Sequence, residues 1–116
     1  MVMDAALSIE MQDGAVAGTR VVRLVGPMTL RNIFTFHAEV RSVEVSGVVI
    51  LDLSGVPYMD SAGMGTIINY YVHCEKTNTR MIAAGVSPRV MELFKMTKVD
   101  GVISLAPSVE AAEASI

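Results

Sequence analysis

The chain contains 116 residues, the length of one folded domain. Hydrophobic residues make up 52% of the sequence and charged residues only 18%, so an intrinsically disordered chain is excluded. Nine basic residues against twelve acidic ones give a formal net charge of −3, which argues against a protein that coats nucleic acid.

Membrane insertion and disulfide bonding are also disfavoured by the sequence. The longest stretch without Asp, Glu, Lys or Arg covers residues 61–74, which is shorter than the roughly 20 residues that a membrane-spanning helix needs. The N-terminus has no basic cluster before an apolar run, so no signal peptide is expected. The single cysteine, Cys74, cannot form an internal disulfide and fits a reducing compartment.

The first third of the chain predicts two strands and a helix. Residues 7–12 alternate apolar and polar side chains, which is typical of a half-buried strand. A turn at Asp13 leads to a second strand over residues 20–25, and so short a connection predicts an antiparallel pair. Thr29 is expected to cap a helix over residues 30–43. The predicted buried stripe of this helix consists of Leu30, Ile33, Phe34, His37 and Val40.

The rest of the chain alternates strands and helices. Residues 48–53 are apolar and rich in β-branched side chains, as in a strand buried on both faces. A second helix is predicted from Ser61, and a third from Ser87-Pro88, which combines a capping serine with a proline in the first turn. Short strands over 81–84 and 102–105 and an alanine-rich helix capped by Ser108 follow. The prediction is a single α/β domain over residues 1–116, with a five-stranded mixed sheet and four helices in the order ββαβαβαβα.

The most informative segment covers residues 48–71. It places Asp52 at the end of a buried strand and Asp60-Ser61 at the start of a helix, where an anion is favoured. Gly63 and Gly65 fall in the first helical turn, where each weakens the helix by up to about 1 kcal/mol. We therefore expect another backbone or a ligand to come close there, and a phosphate on the serine to be tolerated. On the residues alone, ordinary N-capping by the Asp-Ser pair remains the other interpretation.

The same segment reads Asp52-Leu53-Ser54, then Tyr58, then Asp60-Ser61-Ala62-Gly63-Met64-Gly65. This pattern resembles the signature of the STAS family, and in particular that of the bacterial anti-sigma factor antagonists. The resemblance extends over essentially the whole chain, including the element order and the alanine-rich last helix. It implies that the serine matching Ser61 is phosphorylated by a kinase that is itself the anti-sigma factor. The chain departs from the family where Gly26-Pro27-Met28-Thr29 replaces the frequent Gly-x-x-Asp turn.

The resemblance implies a non-enzymatic, cytoplasmic switch protein. Its unphosphorylated form would bind an anti-sigma factor serine kinase and free a sigma factor, phosphorylation of Ser61 would block binding, and a serine phosphatase would reset the switch. ATP and magnesium would belong to the kinase, and no cofactor, metal, direct nucleic-acid contact or membrane contact is expected for this chain. The residues expected at the partner contact are Asp52, Met59, Asp60, Ser61, Gly63 and Met64. The alternative is a ligand-sensing or scaffold STAS module that is never phosphorylated.

Two other interpretations of the segment, a serine hydrolase and a phospho-aspartate receiver domain, are disfavoured. A serine hydrolase needs Gly-x-Ser-x-Gly, and here Met59 stands in place of the first glycine. Neither His37 nor His73 is predicted to lie beside the serine as a general base. A phospho-aspartate receiver domain needs an acidic pair after its first strand and a lysine after its fifth. Glu10 and Asp13 are wrongly spaced for that pair, and the lysine is missing.

Overall fold

The structure is a computed structural model and describes residues 6–40 and 47–116. Its strands are β1 (Ser8–Asp13), β2 (Thr19–Val25), β3 (Val48–Gly55), β4 (Arg80–Ala84) and β5 (Ser104–Ala106). Its helices are α1 (Ile33–Val40), α2 (Ser61–Lys76), α3 (Pro88–Met96) and α4 (Val109–Ala114). A short 3-10 turn, Val99–Gly101, lies between α3 and β5. The predicted fold class and the order of strands and helices are therefore confirmed.

The five strands form one mixed sheet in the order β1-β2-β3-β4-β5. β1 and β2 pair antiparallel, as the short turn between them predicts, and every following pair is parallel. β3 lies at the centre, with Leu51 opposite Val22 on one side and Ala83 on the other. Since β2, β3 and β4 run in the same direction, the loops that follow them meet at one edge of the sheet.

Successive side chains of β3 point to opposite faces of the sheet, so the apolar interior is divided into two layers. The larger layer lies between the sheet and the helices α1, α2 and α3, and its members include Leu51, Leu53, Phe36, Ile67 and Phe94. The smaller layer lies under α4 and consists of Val21, Ile50, Ile82, Ala84 and Ala112. Asp52 therefore points to the α4 side of the sheet, while the chain that leaves β3 turns to α2 on the other side.

Helix α1 is shorter than predicted. It begins at Ile33 rather than at residue 30, and its predicted end at residue 43 lies outside the described residues. The carbonyl oxygen of Thr29 accepts hydrogen bonds from the backbone N–H groups of Asn32 and Ile33, at 2.9 and 3.0 Å. The hydroxyl of Thr29 has no hydrogen-bond partner among the described residues, so the predicted side-chain cap is wrong.

The buried face of α1 also differs from the prediction. Leu30 and Phe34 are 63% and 69% exposed, although both were assigned to the buried stripe. Val40 is buried as predicted, together with Phe36, which was not assigned to the stripe. Apolar side chains lie on both faces of α1, so periodicity alone does not identify the buried face. Phe34 on α1 and Leu30 in the chain before it are consequently exposed to solvent.

Helices α3 and α4 begin where the sequence predicts. Ser87 caps α3 by accepting a hydrogen bond from the N–H of Val90 at 3.3 Å, and Ser108 caps α4 in the same way from Ala111 at 3.1 Å. β5 begins two residues later than predicted because residues 102 and 103 form a turn and a bend after the 3-10 turn. Val102, expected to be the first residue of that strand, is 59% exposed.

Candidate functional site

The site is built by two loops, one after β2 and one after β3, that stay paired beyond the ends of their strands. The N–H of Gly26 donates to the carbonyl of Gly55 at 2.9 Å. Further on, the N–H of Met28 donates to Tyr58 at 3.2 Å, and the N–H of Asp60 donates back to Met28 at 3.1 Å. Because the parallel pairing continues to this point, the backbone before α2 is held in a fixed position.

Asp60 joins the beginnings of α1 and α2 through its side chain. One carboxylate oxygen, Oδ1, accepts a hydrogen bond from the N–H of Gly63 at 2.9 Å, which caps α2. The other, Oδ2, accepts from the N–H of Leu30 at 3.1 Å. A carboxylate at a helix N-terminus is also favoured by the partial positive charge there. The exposed side chain of Asp60 therefore fixes the chain before α1 relative to the first turn of α2.

Ser61 is the first residue of α2 and is exposed to solvent. Its hydroxyl forms no hydrogen bond with any described residue, and the backbone N–H groups of Ser61 and Ala62 likewise have no partner within residues 6–40 and 47–116. The first N–H groups of a helix have no partner within the helix. Ser61 therefore lies at the start of a helix, as the sequence predicts, and its side chain is accessible to solvent.

The two glycines of the first turn have different surroundings. A Cβ atom on Gly63 would lie 2.2 Å from the carbonyl oxygen of Met28, so the expected close approach is that of the chain's own backbone. A Cβ atom on Gly65 would meet no atom within 4 Å. Gly63 is thus required by packing, whereas Gly65 leaves a bare stretch of helix backbone one turn from Ser61.

Met59 and Met64 lie in the apolar core beneath the start of α2. Their side chains are 9% and 2% exposed and belong to the larger core layer, as does the fully buried Met28. A direct contact of Met59 and Met64 with a partner stays a prediction. In this structure they position the exposed Asp60-Ser61 pair rather than offer surface of their own.

Asp52 lies on the opposite face of the sheet. Its Oδ1 accepts hydrogen bonds from the N–H and the hydroxyl of Ser54 at 3.0 and 2.6 Å, and its Oδ2 accepts from Nε of Arg23 at 3.1 Å. Burial by itself raises the pKa of Asp52, but these hydrogen bonds and the charge of Arg23 outweigh it and hold the pKa below its ordinary value. Asp52, Ser54 and Arg23 line a cavity of about 230 Å³ beside α4, together with Glu110 and its neighbours.

Tyr58 carries a contact that sequence reasoning missed. The guanidinium carbon of Arg89, near the start of α3, lies 5.1 Å from the centre of the Tyr58 ring, as in a cation–π pair. From the sequence, Arg89 is only one of several cations expected on a solvated face. Its partner is 31 positions earlier in the chain, so no local pattern could have indicated the pair. The contact brings a positive charge beside the loop that leads to Ser61.

The described part of the chain offers neither a metal site nor a membrane span. Within residues 6–40 and 47–116, no three His, Cys, Asp or Glu side chains converge as metal ligands would. None of the helices described is both long enough and apolar enough to cross a bilayer.

The sequence matches the STAS domain over residues 7–112. The chain belongs to the STAS domain family. It is similar to the anti-sigma-B factor antagonist of Listeria monocytogenes, with 30% identity over 67 residues, which are 58% of this chain and 59% of the Listeria protein. The matched part therefore spans less than two thirds of that relative.

Several solved structures share the fold at low sequence identity. A sulfate transporter family protein from Wolinella succinogenes superposes with a TM-score of 0.79 at 20% identity, over 89% of this chain and 88% of that one. The anti-sigma factor antagonist SpoIIAA in its unphosphorylated form gives 0.74 at 20% identity, over 93% and 96% of the two chains. SpoIIAA, a Bacillus cell fate determinant, in its phosphorylated form gives 0.70 at 19% identity, over 94% and 100%. At these identities the likeness establishes the fold.

The STAS domain brings together only part of the residue set predicted for the partner contact. Asp60, Ser61 and Gly63 meet at the start of α2, whereas Asp52 lies across the sheet. Among the neighbours of the Asp60-Ser61 pair, sequence reasoning missed the exposed Leu30, whose backbone is bonded to Asp60. The accessible surface of the site is therefore the start of α2 together with the chain that enters α1.

Proposed function

We propose that this STAS domain is an anti-sigma factor antagonist controlled by the state of Ser61. Unmodified, it binds an anti-sigma factor serine kinase and thereby frees a sigma factor; phosphorylated on Ser61, it does not bind. The observation that carries the proposal is the free, exposed hydroxyl of Ser61 at the start of α2. The similarity to the Listeria antagonist supports it.

The surroundings of Ser61 are suited to a change of charge without a change of fold. A phosphate adds about −1.5 to −2 charges at pH 7. The two unpartnered N–H groups at the start of α2 can donate hydrogen bonds to the phosphate oxygens, so the free domain should keep its structure. Asp60 already places one negative charge there, so a bound state that encloses the phosphate is disfavoured by repulsion and by lost hydration.

The loss of affinity follows from that desolvation. Enclosing an unpaired charge in an interface shaped for a neutral hydroxyl costs about 3–5 kcal/mol. At about 1.4 kcal/mol for each tenfold change, the phosphorylated protein should bind roughly 10²–10⁴ times more weakly than the unmodified protein.

Exposed apolar side chains beside the site supply the hydrophobic part of the contact with the partner. Leu30 and Phe34 are 63% and 69% exposed, and the backbone of Leu30 is bonded directly to Asp60. Burial of exposed apolar side chains in an interface contributes favourably to its binding free energy. A partner that covers Ser61 would bury Leu30 as well, and Gly65 leaves room for its backbone to approach α2.

The remaining parts of the switch belong to other proteins. ATP and magnesium are assigned to the kinase, and a serine phosphatase would restore the hydroxyl. The STAS domain itself acts by binding, in the cytoplasm, without touching nucleic acid or membrane. It has no catalytic role in this scheme.

The experiment compares variants of Ser61 against the cognate kinase by calorimetry. Ser61→Ala should bind as tightly as the unmodified protein and resist phosphorylation, and Ser61→Asp should bind poorly while keeping its circular dichroism spectrum. Ser104→Asp, an exposed serine in β5, makes the same change of charge away from the site and should bind normally. Equal affinity of Ser61→Ala and the phosphorylated protein would contradict the proposal.

A second candidate function is a ligand-sensing or scaffold STAS module that is never phosphorylated. The fold shared with the sulfate transporter family protein from Wolinella favours it. Intact mass separates the two candidates. Co-expression with the kinase should add one phosphate under the first, lost in Ser61→Ala, and none under the second.

A further inference from the structure

A groove of about 310 Å³ lies between α1 and α2, away from the site described above. It is lined by Phe36, His37, Val40, Asn69, Tyr70 and His73. Asn69 is eight residues beyond Ser61 in α2, which corresponds to about 12 Å along the helix axis. The groove is partly open to solvent, and the buried side chains of Phe36 and Val40 form part of its lining.

Four of the lining side chains form a continuous series of rings. The rings of Phe36 and Tyr70 lie 5.5 Å apart, nearly perpendicular at 86°. His37 meets Phe36 edge-on at 6.2 Å, and His73 stacks on Tyr70 at 6.2 Å with an angle of 25°. Aromatic rings prefer such edge-to-face and offset neighbours, so the accessible rings of Tyr70 and His73 can receive another planar ring, while the buried Phe36 supports Tyr70 from the core.

The polar groups of the groove favour an anionic oxygen. His73 and Asn69 are exposed and His37 is half-buried, so a ligand can reach all three. An imidazole donates at least one N–H and the amide donates two. None of the six described lining residues is acidic, so none of these six would repel an anion. Burial, with a smaller effect from Cys74, raises the pKa of Tyr70, which therefore stays neutral.

We propose that this groove binds a small aromatic carboxylic acid of one ring or two fused rings. The ring of the ligand packs against Tyr70 and His73, and its carboxylate accepts hydrogen bonds from the imidazoles and from Asn69. The volume is at the lower end of small-molecule sites, which limits the ligand to that size. The proposal does not depend on whether Ser61 is phosphorylated.

Calorimetry and saturation-transfer NMR with two acids of equal charge test the proposal. Indole-3-carboxylate should bind with a dissociation constant of roughly 0.1–1 mM, as expected for a ligand of about a dozen heavy atoms. Cyclohexanecarboxylate, which has no aromatic ring, should bind at least about tenfold more weakly. Equal binding of both acids, or no binding of the indole acid at about 5 mM, would overturn the proposal.

Substitutions locate the binding in the groove. His73→Ala removes an exposed ring and should weaken indole-3-carboxylate binding at least about fivefold without unfolding the protein. Tyr70→Phe keeps the ring and should keep binding. The matched control is Phe34→Ala, an exposed ring on α1 outside the groove, which should bind like the unchanged protein. If Phe34→Ala weakens binding as much as His73→Ala does, the ligand is elsewhere and the assignment is wrong.

Discussion

Replacing Asp60 by alanine removes two hydrogen bonds that hold the start of α2. The lost cap on Gly63 costs about 1 kcal/mol, and the lost charge at the helix N-terminus costs about 0.3–1 kcal/mol. The bond to Leu30 is exposed and adds a contribution of about 0.5 kcal/mol. We therefore expect Asp60→Ala to lower the free energy of unfolding by about 1.5–3 kcal/mol. For a domain of this size that is a fall in Tm of about 5–12 °C.

Urea unfolding and calorimetry of two further variants divide that effect into its parts. Asp60→Asn keeps an oxygen for Gly63 but loses the charge and cannot accept hydrogen bonds from both N–H groups. Its free energy of unfolding should therefore lie between those of Asp60→Ala and the natural protein. Asp100→Ala removes an exposed acid in the 3-10 turn and makes the same change of charge. Its free energy of unfolding should stay within about 0.5 kcal/mol of that of the natural protein. If Asp60→Ala is no less stable than Asp100→Ala, Asp60 does not hold α2 and the reasoning about the site is wrong.

Three further outcomes are expected. Gly63→Ala should lower the free energy of unfolding by about 1–3 kcal/mol because its Cβ would overlap the Met28 carbonyl, while Gly65→Ala should raise it by up to about 1 kcal/mol, which urea unfolding will show. The lowered pKa of Asp52 stabilises the fold above the ordinary value of 3.8, and this contribution is lost as the pH falls through the folded-state pKa. Unfolding free energies measured between about pH 5 and pH 2 should therefore fall more steeply for the natural protein than for Asp52→Asn; parallel curves would disprove the assignment. The purified domain should hydrolyse no ester, phosphoester or nucleotide, since both histidines line the groove rather than the start of α2; a turnover that disappears in Ser61→Ala would contradict this.

The elements were predictable because their signals are local. The apolar run of β3 and the capping serines Ser87 and Ser108 each act within a few residues of their position in the chain. The same is true of the start of α2, where Asp60 and Gly63 are only three residues apart. Local chemistry therefore indicates both the fold and the accessible serine.

The features that the sequence could not indicate depend on contacts between distant segments. The bond from Leu30 to Asp60 spans 30 residues, and the role of Gly63 depends on the backbone of Met28, which lies on another loop. Leu30 and Phe34 look like core residues because α1 is apolar on both faces, and only packing decides which face is buried. The four-ring groove likewise exists only because α1 and α2 lie side by side.

The continued pairing of the two loops has a consequence for any enzyme that modifies Ser61. The hydroxyl is presented on backbone fixed at Gly26, Met28 and Asp60, so a kinase has to recognise a folded surface instead of drawing an extended peptide into its cleft. A synthetic peptide of residues 52–67 would then be a poor substrate although it contains every residue of the motif. Only folded molecules would then be phosphorylated on Ser61. Partly unfolded molecules would neither receive the phosphate nor compete for the enzyme.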